Sequence, residues 1–154
     1  MFLLTAALAA SPTVTTDAHV VHADLRVDAP ADAVLALLAD PTQVALLSPD
    51  VRSARSTAAG ACDNVVYRTT GLLQPYEATV ERCVTEGGWT EHLVASEVFT
   101  AWDVAWTVAE EADGTHLRVA LRVDLWALPG VVVQPRVVRS LTIQLEKLSA
   151  LLDG

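Results

Sequence analysis

Three kinds of side chain in this sequence have types and spacing suited to chemistry: a strand histidine, two tyrosines and a pair of tryptophans four positions apart. His92 falls in phase with Thr90, Val94 and Ser96, and an imidazole there can hydrogen-bond a carbonyl oxygen or act as a base near neutral pH. Tyr67 and Tyr76 each carry a hydroxyl that can reach such a carbonyl. Alternation groups Tyr76 with Ala78 and Val80 and leaves the facing of Tyr67 open. Trp102, Val104, Trp106 and Val108 share one strand face, and stacked aromatics suit a planar ring, although a strand tryptophan is more often plain core. His19, His22 and His116 show no clustering, and Glu110-Glu111 read as solvated residues of a hairpin turn.

Other catalytic signatures are missing from the sequence. It holds no His-x-x-x-His or Cys-x-x-Cys metal spacing, no Gly-x-Ser-x-Gly elbow, no phosphate-cradling glycine loop and no Gly-x-Gly-x-x-Gly fingerprint. Hydrolase, kinase and dehydrogenase readings lose their support, and no cofactor or metal is called for. The net charge of -9, from 19 acidic and 10 basic residues, repels phosphate backbones and argues against a nucleic-acid partner. Lys147 is the only lysine, and the arginines are scattered.

A chain of 154 residues fits one domain with a continuous core. Hydrophobic residues make up 52%, yet charges interrupt every run before it reaches the about 18 residues of an integral membrane segment. The apolar surplus therefore fills a large core or lines a pocket. Residues 1–18 read as a signal peptide or a disordered N-terminal tail. Met1–Ala10 is apolar apart from Thr5 and runs into small residues before Ser11-Pro12, but no basic residue precedes it. The protein is secreted or periplasmic if this is a signal peptide, and cytoplasmic otherwise. Cys62 and Cys83 lie on successive strands: a turn centred between Leu72 and Leu73 sets them opposite each other for a disulfide, whereas one centred near Pro75 makes them miss.

These residues need a scaffold, and periodicity supplies one. Val20–Val27 alternates as a first strand; Asp28-Ala29-Pro30 opens a helix with Val34, Leu37 and Leu38 inward; Asp40-Pro41 stops it, and Val44–Leu47 forms a second short turn. Six strands follow, over 51–57, 64–70, 76–84, 89–95, 101–109 and 115–125, separated by turns such as Glu86-Gly87-Gly88 and Ala112-Asp113-Gly114. The last strand alternates strictly through Leu117, Val119, Leu121, Val123 and Leu125. Val133, Val137, Leu141, Leu145, Leu148 and Leu152 then form one stripe on a helix of about 17 residues and roughly 26 Å. Pro135 belongs in the first turn of this helix; a helix starting earlier would be expected to kink there. Arg136 and Arg139 follow, able to attract an acidic ligand head or to stand as solvated charges.

The element order, with Val27-Asp28-Ala29-Pro30, Asp40-Pro41, Phe99, Trp106, Val108, Asp113-Gly114-Thr115 and Trp126-Ala127-Leu128-Pro129, resembles the START-like (SRPBCC, birch-pollen-allergen) superfamily in its polyketide cyclase/dehydrase and coenzyme Q-binding branch. The match covers residues 19–154. It implies an α+β helix-grip fold: a bent antiparallel sheet of about seven strands around a long C-terminal helix, with two short helices after the first strand. It also implies a cavity between sheet and helix for a hydrophobic small molecule, lipid, quinone or polyketide-like, in a monomeric carrier. The alternative is a polyketide cyclase or dehydratase acting in the same cavity. By this resemblance the ligand-binding residues are Tyr67, Tyr76, His92, Trp102, Trp106, Leu121, Val123, Val137 and Leu141, with His92 the candidate for catalysis. Val133, Val137, Leu141 and Leu145 become a lid, and Trp126–Pro129 the hinge near the entrance. Partner proteins are left open.

Overall fold

The computed structural model describes residues 11–70, 75–126 and 128–153. The leader reading of Met1–Ala10, the turn at Leu72-Leu73 and Ala127 of the hinge lie outside them. Among the described residues eight strands form one antiparallel sheet in the order β1-β2-β8-β7-β6-β5-β4-β3. In chain order these are β1 (Thr13–Asp17), β2 (Val20–Val27), β3 (Val51–Ala59), β4 (Cys62–Thr69), β5 (Tyr76–Thr85), β6 (Gly88–Ala95), β7 (Phe99–Glu111) and β8 (Gly114–Leu125). Helices α1 (Ala31–Leu38) and α2 (Pro41–Leu46) follow β2, and α3 (Gly130–Asp153) closes the chain.

The expected helix-grip architecture holds, with one strand more than the seven read from sequence. The addition, β1, pairs antiparallel with β2 inside the stretch taken as leader or tail. Most of its residues are exposed at the sheet edge, so no alternation of buried and polar positions marks it.

Alternation does place the inner face elsewhere. On β2, Val21, Ala23, Leu25 and Val27 are buried, and on β8 Leu117 and Val119 are buried beside them. Leu141, Leu145 and Leu148 of α3 pack onto this face together with Val34 and Leu38 of α1, forming the main core. A smaller cluster of Ala45, Val65, Tyr67 and Val80 lies toward β4 and β5. Gly88 is dictated by sterics: a Cβ there would sit 1.8 Å from the Trp106 carbonyl oxygen on the neighbouring strand.

Helix α3 is longer than expected, 24 residues and about 36 Å. Pro135 therefore lies inside the helix rather than in its first turn. Its missing N–H frees the carbonyl of Val131, in a stretch where Val131 and Val132 are exposed and solvent can satisfy it. Helix α1 starts after Pro30 without a side-chain cap, and the backbone N–H of Ala31 is instead donated to Glu110 Oε1 from β7 at 2.9 Å. Glu110 is thus a long-range cap and not merely a solvated turn residue.

His116 likewise stands in a cluster that the sequence did not reveal. Its ring contacts Asp24 and Asp113 at 2.8 Å each and Glu111 at 3.4 Å. Cys62 and Cys83 are direct register partners on β4 and β5, and they form a disulfide with Cα atoms 4.4 Å apart.

Candidate functional site

The main core fills the space under the C-terminal half of α3, where Leu145 and Leu148 have no exposed surface. Under the N-terminal half the packing opens into a cavity of about 270 Å³. Val132, Val133, Arg136, Val137, Ser140, Leu141 and Gln144 of α3 form its roof, and Val119, Leu121, Val123 and Leu125 of β8 one wall. The apolar stripe of α3 and the alternation of β8 are thus each divided: Leu117 and Leu145 serve the packed core, while their neighbours line the space. Leu128 lines it too, whereas Trp126 is exposed and bonds the Glu97 carbonyl from its indole nitrogen at 3.0 Å.

The floor is aromatic. Tyr67, Tyr76, Trp89, Phe99, Trp102 and Trp106 all line the cavity. Tyr67 and Trp102 stack at 5.2 Å with planes 12° apart, Trp89 and Trp106 stack at 5.3 Å and 14°, and Phe99 meets Trp102 edge-on at 5.2 Å. A register shift between Phe99 and Ala101 lets Phe99 and Trp102 both point inward although they are three residues apart.

Of the nine residues read from sequence, eight line the cavity: Tyr67, Tyr76, Trp102, Trp106, Leu121, Val123, Val137 and Leu141. His92 does not. Its side chain is 62% exposed on the outer face and pairs with Asp103 at 2.9 Å. The phase of β6 is opposite to the expected one, because Trp89 pairs with Trp106 and Glu91 with Val104, which puts Trp89 and Glu91 inward. His92 is accordingly removed from any role inside the cavity.

Glu91 takes the inward position and is the polar residue that sequence reasoning missed. It is buried, accepts the Tyr67 hydroxyl on Oε1 at 2.5 Å and accepts the Trp102 indole N–H on Oε2 at 3.2 Å. Burial pushes its carboxyl up, against the pull of these two donors and of Arg82. Burial and the neighbouring Glu91 push the Tyr67 phenol far above its ordinary range. Arg82, opposite Glu91 in register, is also buried. Its guanidinium lies 4.8 Å over the Trp89 ring and donates to the Leu38 carbonyl at 3.2 Å, while its Nε is without a partner among the described residues.

At the rim, Arg136 pairs with Asp50 at 3.1 Å, both partly exposed. Ser48 and Ser140 bond each other at 2.7 Å, and Gln144 donates to the Val44 carbonyl at 2.8 Å. Arg139 is exposed and outside the lining. No helix among the described residues is long and apolar enough to cross a membrane.

The model of a protein family described as "Polyketide cyclase / dehydrase and lipid transport" matches residues 18–153. No curated protein matches significantly. Among solved structures, a START superfamily protein from Mycobacterium smegmatis is similar with a TM-score of 0.74 and 18% identity, over 88% of this chain and 97% of that one. A STAR-related lipid transfer protein from Xanthomonas axonopodis gives 0.68 and 15%, over 94% and 99%. The Zhui aromatase/cyclase from a Streptomyces species gives 0.66 and 17%, over 84% and 92%. At these identities the likenesses establish the fold.

Proposed function

The chain belongs to the polyketide cyclase/dehydrase and lipid transport family, and from that premise we propose that it binds a compact hydrophobic small molecule in the cavity beneath α3. One observation carries this reading: the core is packed without exposed surface at Leu145 and Leu148, yet a space of about 270 Å³ lined by stacked aromatics remains beside it. A concave space lined mainly by apolar and aromatic side chains is the usual form of a small-molecule site. At about 270 Å³ the space lies near the lower end of the sizes usual for small-molecule pockets, which favours a small ring compound over a long acyl or polyprenyl chain lying wholly inside. The lipid transfer protein and the aromatase/cyclase named above are consistent with a hydrophobic occupant.

Native mass spectrometry of the purified protein, with organic extraction, tests the proposal. A co-purifying hydrophobic compound, or saturable uptake of added aromatic compounds, is the expected result. Protein that is ligand-free and indifferent to added ring compounds and fatty acids overturns it.

The second reading, cyclisation or dehydration of a reactive polyketide in the same space, is favoured by a different observation. Glu91 and Tyr67 bring a buried carboxyl and a phenol together against the cavity, and a positioned carboxyl with a raised pKa is a group that can carry a proton to or from a substrate. Turnover of a polyketide substrate that survives Glu91→Gln excludes that carboxyl as an essential proton carrier.

A further inference from the structure

The polar groups of the cavity are unevenly distributed. The Arg136–Asp50 pair holds the rim, whereas Glu91, 6% exposed, occupies the floor among aromatic side chains. An ionised carboxyl accepts about four hydrogen bonds; two are supplied by Tyr67 and Trp102, so acceptor capacity remains at a side chain that lines the space. The guanidinium opposite Glu91 in register, Arg82, is turned behind Trp89 and lies outside the lining. Among the described residues the floor therefore presents an acceptor and no lining cation.

We propose that Glu91 is the specificity-determining residue of this cavity, accepting a hydrogen bond from a hydroxyl on an otherwise neutral ring ligand and excluding ligands that enter carboxylate-first. The inference rests on the reading that the cavity binds a hydrophobic molecule, and it names the class of that molecule. The exclusion is strongest with Glu91 ionised. When Glu91 is ionised, a ligand carboxylate meets a like charge; when it is protonated, the ligand still carries an unpaired charge into an apolar space. A hydroxyl carries no such cost and gains a charge-assisted or neutral bond to the carboxyl. Burial pushes the carboxyl up, which leaves it able to donate to a ligand oxygen once protonated.

The test uses the full chain and three probes of similar size: naphthalene, naphthol and naphthoate. Quenching of tryptophan emission reports binding, because Trp89, Trp102 and Trp106 line the cavity. Naphthol is expected to bind about tenfold tighter than naphthalene, the worth of one good hydrogen bond, and naphthoate at least about tenfold weaker than naphthol. Glu91→Gln, with similar size and no negative charge, is expected to narrow the gap between naphthol and naphthoate by removing the like charge, while the cost of carrying the ligand's own charge into an apolar space remains. Folding of the variant is checked by circular dichroism. Naphthoate binding as tightly as naphthol to the unmutated protein overturns the proposal whether or not the variant folds, as does an unchanged ratio in a folded variant. Should naphthalene bind and naphthol bind no tighter, the role of Glu91 falls while the hydrophobic-ligand reading survives. If none of the three binds, the role of Glu91 falls, and the hydrophobic-ligand reading is decided by the mass-spectrometric test above.

Discussion

Tyr67 on β4 donates its hydroxyl hydrogen to Glu91 on β6, across the intervening strand β5 and 24 residues along the chain, with both side chains buried. The bond ties the aromatic floor of the cavity to its only buried carboxyl among the described lining residues. Tyr67→Phe deletes the donor and keeps the ring. It is expected to cost about 1–3 kcal/mol, the penalty for leaving a buried acceptor short of a partner. Urea unfolding measures this, and an unchanged midpoint would show that the hydroxyl contributes nothing to stability.

Filling the cavity should separate binding from folding. Val137 is half-buried on α3 and lines the space, so Val137→Trp inserts an indole where a ligand would lie. Probe affinity is expected to drop at least about tenfold, while the thermal midpoint holds or rises because the void is filled. Undiminished affinity in a folded variant places the binding site elsewhere.

The Cys62–Cys83 bridge spans 21 residues, and a loop of that order is worth about 3 kcal/mol through the unfolded chain. The double variant Cys62→Ala/Cys83→Ala should lose roughly that amount in urea. Bridges of this kind persist in oxidising compartments, so thiol alkylation of protein taken directly from cells, with and without reductant, tests the exported reading as well. Two free thiols before reduction would count against it.

His116 gives a pH signature with a definite sign. Hydrogen bonds to Asp113 and Asp24 raise its pKa above the ordinary 6.5, partial burial opposing them. A raised imidazole in the folded state contributes stability that is fully present below 6.5 and lost as pH rises through the folded pKa. Glu111, Asp113, Asp24 and the nearby Arg118 face it from β7, the β7–β8 turn, β2 and β8. Unfolding midpoints measured across this window should decline more steeply for the unmutated protein than for His116→Gln. Parallel profiles would remove His116 as the source.

Strand β6 explains where sequence reading failed at the site. Its two faces, Trp89-Glu91-Leu93 and Thr90-His92-Val94, carry nearly matched polarity, so period two identifies a strand without choosing a side. The choice is made by pairing with β7, which sets Glu91 beside Val104. An acidic residue ordinarily argues for the outer face. Here the Tyr67 hydroxyl and Trp102 N–H offset its burial, and both donors come from other strands. Pro135 is a similar case, since whether a helix tolerates an interior proline depends on whether the freed carbonyl meets solvent.

The sequence by itself determined the order of strands and helices, the apolar stripe of α3, the alternation of β8 and the shared face of Trp102 and Trp106, whose inward direction came from the family resemblance. Those are local patterns, written in residue periodicity at two or about 3.6 positions. Only the tertiary structure decided that the wall and stripe are each split between packed core and open cavity, that Cys62 meets Cys83, and that Glu91 rather than His92 looks inward. Such outcomes depend on strand register and on partners tens of residues away, where no local period carries information.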